Sequence, residues 1–118
     1  MMDVAAASAI SNDVTIFFGN GDGTLQLAEQ IPIDASDPSV ILARDVNDDG
    51  KLDLVVANAF STVAVLYGNG DGTFQNPHYF TAGIGLRSLS VADVNGDGEP
   101  DIVIADEIFD EVSVLLRQ

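Results

Sequence analysis

The stretch DVNDDGKLD, residues 45–53, carries oxygen-bearing side chains at its first, third, fifth and ninth positions. It recurs 48 residues later as DVNGDGEPD, residues 93–101, with the same residue types at these four positions. A second motif repeats at nearly the same distance, because GNGDGTLQ at 19–26 returns as GNGDGTFQ at 68–75. The chain is therefore built from repeats of nearly 50 residues.

One repeat contains short apolar runs that are separated by Gly, Asp and Asn. In order these are a run at 39–43, the acidic loop, runs at 53–58 and 63–67, the GNGDGT turn, and a less regular segment that ends near Gly83. Such a pattern predicts four antiparallel strands joined by turns. The runs DLVVAN, VAVLY, DIVIAD and VSVLL are almost continuously apolar. We therefore expect both faces of these strands to be covered.

A unit of this length with four strands is typical of a β-propeller blade, because stacked blades bury both faces of their central strands. A two-sheet sandwich would explain the number of strands but not their periodicity. The sequence thus predicts an all-β fold of β-propeller blades, each with four antiparallel strands.

The two ends of the chain align with the middle repeat and indicate about two and a half blades. MDVAAASAI at 2–10 aligns with LDLVVANAF at 52–60, which places Asp3 at the ninth position of an acidic loop. The predicted organisation is a single repeat domain, 1–118, with a partial blade 1–37, a full blade 38–86 and a partial blade 87–118. Closed propellers usually have four to eight blades. We expect homo-oligomers that complete the ring through exposed blade edges, or a piece of a longer array.

The acidic loops match the ligand pattern of calcium, which takes six to eight oxygen ligands. Side chains at positions 1, 3, 5 and 9 and the carbonyl at position 7 converge on the ion, and a glycine at position 6 allows the sharp turn. The predicted ligands of the first loop are Asp45, Asn47, Asp49, Asp53 and the Lys51 carbonyl. Those of the second loop are Asp93, Asn95, Asp97, Asp101 and the Glu99 carbonyl.

Other metal sites fit this pattern less well. A helix-loop-helix calcium site needs a Glu at position 12, where this chain has Val56 or Ile104 inside a β-branched run. Magnesium prefers an octahedral, partly hydrated site, and zinc is disfavoured because the chain has no cysteine and one histidine. Ca2+ is therefore the predicted cofactor.

Composition restricts the partners and the location of the chain. Nineteen acidic and four basic residues give a net charge of −15, which disfavours nucleic acid and anionic membrane surfaces. No apolar run approaches the roughly 20 residues that span a bilayer, so we expect no membrane insertion. MMDVAAASAI lacks the basic region and the length of a secretory signal, which does not exclude secretion.

The motifs together resemble the FG-GAP repeat, also called the VCBS-type repeat. The resemblance rests on DVNDDGKLDLVVAN at 45–58, VAVLYGNGDGTF at 63–74 and DVNGDGEPDIVIAD at 93–106, with Phe18-Gly19 and Tyr67-Gly68 as the "FG" pair. The "GAP" half is weaker, near Asp37-Pro38-Ser39 and Ile84-Gly85-Leu86. The resemblance implies calcium loops between the first and second strands of each blade. It also implies adhesion, ligand binding or scaffolding in an extracellular or cell-surface location.

Three functions remain open. The first is a calcium-binding structural or interaction module that self-assembles, with a possible protein or glycan ligand. The second is a carbohydrate-binding lectin of the same fold, for which Phe60, Tyr79, Phe80 and Phe109 are candidate pocket residues. The third, a hydrolase with paired carboxylates, is disfavoured because the clustered Asp residues are already explained as metal ligands. His78 has no catalytic partner nearby in sequence. We therefore expect no enzymatic activity.

Overall fold

The computed structural model describes residues 3–33, 37–60, 62–82, 85–106, 108 and 110–115. These residues form ten strands in three antiparallel sheets, and the strands of each sheet lie side by side in chain order. Sheet 1 contains β1 (Val4–Ser8), β2 (Asp13–Gly19) and β3 (Leu25–Pro32). Sheet 2 contains β4 (Pro38–Arg44), β5 (Asp53–Asn58), β6 (Thr62–Leu66) and β7 (His78–Thr81). Sheet 3 contains β8 (Leu86–Ala92), β9 (Asp101–Asp106) and β10 (Glu111–Leu115).

The predicted all-β fold with antiparallel strands is confirmed. The sheets hold three, four and three strands within the described residues. The acidic loops join β4 to β5 and β8 to β9, so each lies between the first and second strands of its sheet. Within the described ranges the chain forms no helix that is long and apolar enough to cross a bilayer.

Sheet 2 lies between the other two sheets, because β4 contacts both β1 and β8. Alternate side chains of β5 point to opposite neighbours. Leu54 and Val56 pack in one cluster with Val14 of sheet 1, and Val55 packs in a second cluster with Ile104 of sheet 3. All six residues of β5 are buried. The prediction that this run is covered on both faces is therefore confirmed.

The outer faces of sheets 1 and 3 carry exposed apolar residues, so within the described residues DIVIAD and the run at 112–115 are covered on one face only. No described sheet packs against the face on which Val112 is 67% and Val114 42% exposed. We define the outer face of sheet 3 from the cross-strand pairs of these two residues, and the outer face of sheet 1 in the same way. The apolar residues of the first are Val103, Ala105, Val112 and Val114, beside Ser88 and Ser90, and those of the second are Val4, Ala6, Phe17, Leu25 and Leu27, beside Thr15 and Gln30.

The GNGDGT segments form tight turns, as their Asn-Gly and Asp-Gly pairs predict. In the second copy the Asn69 N–H donates to the Thr73 carbonyl at 3.0 Å, and the turn between β2 and β3 has the same bond from Asn20. Gly70 and Gly72 have φ of +88° and +91°, a region that other residues rarely adopt. These turns lie at the same edge of the sheets as the acidic loops, because Lys51 packs beside Gly70.

Three residues named in the sequence predictions lie outside the described residues. Gly83 is the predicted end of the less regular segment of the repeat. Ile84 belongs to the predicted counterpart of the "GAP" motif, and Phe109 is one of the candidate pocket aromatics. Nothing in the structure bears on these three predictions.

Candidate metal centre

Each acidic loop folds around the carboxylate at its first position. Asp45 accepts hydrogen bonds from the Gly50 N–H at 2.8 Å and the Asp49 N–H at 3.2 Å. Asp93 accepts the same two bonds in the second loop, from Gly98 at 2.8 Å and from the residue at position 5 at 3.2 Å. The two loops therefore share one backbone arrangement, in which backbone donors satisfy the first carboxylate.

The third and fifth positions are held by a second set of bonds. The Asn95 Oδ1 accepts the Asp97 N–H at 3.2 Å, and the Asp97 Oδ1 accepts the Glu99 N–H at 2.9 Å. The same bonds occur at Asn47 and Asp49, at 3.3 and 2.9 Å. These contacts are Asx-type turns, which set the orientation of the side chains without a metal.

Three carboxylates of the second loop come together. One oxygen of each of Asp93, Asp97 and Asp101 lies within 4.8 Å of the others. In the described chain the oxygens of Asp45, Asp49 and Asp53 do not all meet this distance. A close set of carboxylate oxygens suits a hard cation such as Ca2+. The three carboxylates of the second loop could therefore hold a cation, whereas those of the first loop do not all lie this close together.

The ninth-position aspartates also have a structural role that the sequence prediction missed. Asp53 has no exposed surface, and its Oδ2 accepts the Val46 N–H at 2.9 Å while its Oδ1 accepts the Gly68 N–H at 2.8 Å. Asp101 is equally buried and accepts the Val94 N–H at 3.1 Å. We use the name aspartate bridge for the hydrogen bonds that a ninth-position aspartate accepts from backbone N–H groups. At Asp53 it joins the acidic loop to the start of the GNGDGT turn.

The bridge recurs in sheet 1, where the Asp3 Oδ1 accepts the Gly19 N–H at 3.1 Å. The aspartate and glycine are 16 residues apart in this sheet and 15 apart at Asp53 and Gly68. This repeated Asp-to-Gly spacing is the signal in the sequence from which the bridge could have been found.

Backbone donors also change the acidity of exposed aspartates in these turns. Desolvation raises the pKa of Asp45, but the N–H groups of Gly50, Asp49 and other loop residues together outweigh it, so the pKa lies below its ordinary value. The Thr73 hydroxyl and N–H lower the pKa of Asp71 in the GNGDGT turn. Asp45 is therefore ionised throughout the neutral range and can ligate a cation there.

A cleft of about 390 Å³ lies between sheets 1 and 2 beside the first acidic loop. The residues that line it include Phe18, Phe74, Lys51 and Gly70. The candidate aromatics that the structure describes are exposed and do not line it, namely Phe60, Tyr79 and Phe80. This cleft depends on the packing of two sheets, so it could not be located from sequence patterns.

Comparison with known proteins agrees with the motifs. A family model described as an FG-GAP-like repeat matches residues 45–104, which is slightly more than half of the chain. Searches of curated proteins and of solved structures find no significant match. The matched segment contains both acidic loops and the intervening strands of sheet 2. The chain therefore belongs to the family of FG-GAP-like repeats.

Proposed function

We propose that the chain is a calcium-stabilised structural and interaction module, without enzymatic activity, whose three sheets are blades of an extracellular β-propeller. The observation that carries this proposal is the cluster of Asp93, Asp97 and Asp101 within a loop that occurs twice. Ca2+ supplies the positive charge that offsets the repulsion among three neighbouring carboxylates. Repeats of this family are typically extracellular, where free calcium is abundant enough for such sites.

The residues that would hold the ion are those at positions 1, 3, 5, 7 and 9 of each loop. Backbone donors already orient Asp45 and Asp93, and the ninth-position aspartates are fixed by the bridge. A cation bound here joins the end of one strand to the start of the next. We infer that calcium stiffens the strand connection and makes unfolding of the sheet less favourable.

The calcium proposal predicts that stability rises with free calcium. At a hundredfold excess over Kd, each site should add about 2.7 kcal/mol to the free energy of unfolding. Asp97→Asn should remove the contribution of one site, because it takes one of three clustered carboxylates away. Urea unfolding at a series of buffered calcium concentrations measures both effects.

Asp71→Asn is the matched control, since Asp71 is an exposed aspartate in a glycine-rich turn outside the acidic loops. Its calcium dependence should equal that of the parent chain. Identical unfolding curves of the parent chain in calcium and in excess chelator would contradict the proposal, as would an Asp97→Asn variant with undiminished calcium dependence.

The proposal of self-assembly rests on the two outer faces. Inside the chain, one face of sheet 1 packs on sheet 2, and the other face of sheet 2 packs on sheet 3. The outer face of sheet 1 in one chain could pack on the outer face of sheet 3 in another, in the way that neighbouring sheets pack within one chain. A second copy can therefore stack its sheet 1 on sheet 3 of the first, in a head-to-tail interface that closes into a ring if the rotation allows.

Light-scattering mass after size exclusion tests the assembly. In millimolar calcium we expect a discrete oligomer, and Val112→Asp should shift it to monomer because a charge would be buried in the interface. Ile10→Asp is the control, since Ile10 is 98% exposed in the turn between β1 and β2. A parent chain that stays monomeric at all concentrations would refute self-assembly through these faces.

Carbohydrate binding is the second candidate function, and the cleft between sheets 1 and 2 favours it. The rings of Phe18 and Phe74 offer apolar surface, and Lys51, Asp3 and Thr73 offer polar groups. A glycan array probed in calcium and in chelator tests this candidate. Binding that is lost in Phe18→Ala but kept in Phe60→Ala, an exposed ring outside the cleft, would support it.

A further inference from the structure

The tetrapeptide Asn-Gly-Asp-Gly occurs three times in the chain, at 20–23, 69–72 and 95–98. The first two copies lie in the GNGDGT turns and the third lies in the second acidic loop. An asparagine before glycine can cyclise, because the glycine nitrogen attacks the side-chain amide carbon and no Cβ obstructs its approach. Since the residues around this step are the same in all three copies, a difference in their reactivity in the folded chain must arise from the structure.

The structure holds the three asparagine side chains in two different ways. In the GNGDGT turns the Nδ2 of Asn20 and of Asn69 donates across the turn to a threonine hydroxyl, at 2.8 and 2.9 Å. In the acidic loop the Oδ1 of Asn95 instead accepts the Asp97 N–H at 3.2 Å. This contact folds the side chain back over the Gly96 peptide, so the amide carbon is oriented towards the nitrogen that attacks it.

The hydrogen bonds around Asn95 and Gly96 match the needs of this reaction. The Gly96 N–H donates to the Asp93 Oδ1 at 2.8 Å, so a carboxylate is placed to accept the proton that the nitrogen must lose. The Asp97 N–H donates to the oxygen on which negative charge develops. Asn95 and Gly96 are both exposed, so water can reach them. The loop therefore places a base and an oxyanion donor around one accessible amide.

We propose that Asn95 is a site of spontaneous modification, at which the folded, metal-free loop forms a succinimide with Gly96. The bond from the Gly96 nitrogen to the Asn95 Cγ forms, and the Cγ–Nδ2 bond breaks. The proton of the Gly96 nitrogen passes through Asp93 and solvent to the amide nitrogen, which leaves as ammonia. Water then opens the imide at either carbonyl and leaves aspartate or isoaspartate at position 95.

The modification alters the candidate metal centre. Isoaspartate adds one methylene group to the backbone between Asp93 and Asp97, whose carboxylates belong to the cluster. A longer backbone displaces these two carboxylates from one another and disrupts the cluster. The inference goes beyond the proposed function, because the reaction is covalent and needs no metal.

Peptide mapping by mass spectrometry tests the proposal with internal controls. The full chain is kept in excess chelator at neutral pH and physiological temperature, and the conversion of each asparagine is followed with time. Asn95 should convert about tenfold or more faster than Asn20 and Asn69, since orientation of the reacting groups changes rates by at least this much. In guanidinium chloride, which removes the fold, the rates at these asparagines should become equal.

Asp48→Gly is a matched variant that should create a second reactive site in the first loop. Asn47 makes the same contact to the Asp49 N–H, at 3.3 Å, but the residue that follows it is Asp48, whose Cβ obstructs the attack. Asp48 has φ of +61°, so glycine suits this position. In the variant Asn47 should convert at a rate similar to that of Asn95, while the rate at Asn20 stays unchanged.

Three results would each overturn the proposal. They are equal rates at Asn95 and Asn69 in the folded chain, unequal rates in guanidinium chloride, and an Asn47 in Asp48→Gly that reacts no faster than Asn69. Because chelator is present throughout, these results are independent of the calcium dependence of unfolding. Failure of this proposal and failure of the calcium proposal can therefore be told apart.

Discussion

Asp53→Ala is expected to lower the free energy of unfolding by about 2–6 kcal/mol, enough to unfold a chain of marginal stability. The substitution leaves the N–H groups of Val46 and Gly68 without acceptors, and both residues are buried. Each buried donor that loses its partner costs about 1–3 kcal/mol. Urea unfolding in excess chelator measures the loss, because the contribution of any bound metal is then removed.

Asp3→Ala is the matched control for this effect. Asp3 makes the corresponding bond to Gly19, but it is exposed and accepts one described bond rather than two. Water can replace that bond, so the expected loss is about 0.5–1.5 kcal/mol. If Asp53→Ala were no more destabilising than Asp3→Ala, the aspartate bridge would not be a principal source of stability in sheet 2.

Gly68→Ala is the second substitution with a large expected effect. An added Cβ would overlap the carbonyl oxygen of Leu52, a backbone atom that cannot rotate away. Relief requires a shift of the acidic loop or of the turn, and either shift lengthens the Gly68 bond to Asp53. We expect a loss of about 3 kcal/mol or more in the free energy of unfolding. Urea unfolding and the far-ultraviolet circular dichroism of the variant measure this loss.

Gly23→Ala separates steric overlap from backbone strain. Gly23 has φ of +92°, but an added Cβ there would meet nothing within 4 Å. The cost should be the strain alone, about 1–2 kcal/mol. Equal losses in the two variants would show that the close approach of Gly68 to Leu52 is not a constraint on this fold.

The strands could be predicted from the sequence because their signals are local. The apolar run at 53–58 coincides with β5 in every residue, and the GNGDGT turns follow from the conformational needs of their glycines. The burial of each face was predicted less well. An apolar run indicates that a face can be covered, but not that a neighbouring sheet is present. Val112 and Val114 are exposed for this reason.

In the candidate site too, local features could be predicted from the sequence and contacts between distant residues could not. The spacing of acidic residues within one loop predicted the cluster of Asp93, Asp97 and Asp101, although ligation itself stays a prediction. The aspartate bridge was missed because Gly68 is 15 residues from Asp53 and meets it across a strand. Turn composition carries no information on such a contact. Only a comparison of the repeats, which pairs Asp3 with Gly19, would have indicated it.

Each aspartate bridge joins residues of a single sheet, whereas neighbouring sheets meet mainly through apolar side chains, with a bond from the Ser39 hydroxyl to the Leu86 carbonyl between sheets 2 and 3. Duplication or loss of one whole unit in the gene would therefore leave the remaining bridges intact. The new neighbour would need chiefly an apolar face of suitable shape, a requirement that many combinations of Val, Ile, Leu and Ala meet. A chain organised in this way can change its length in evolution by one sheet at a time.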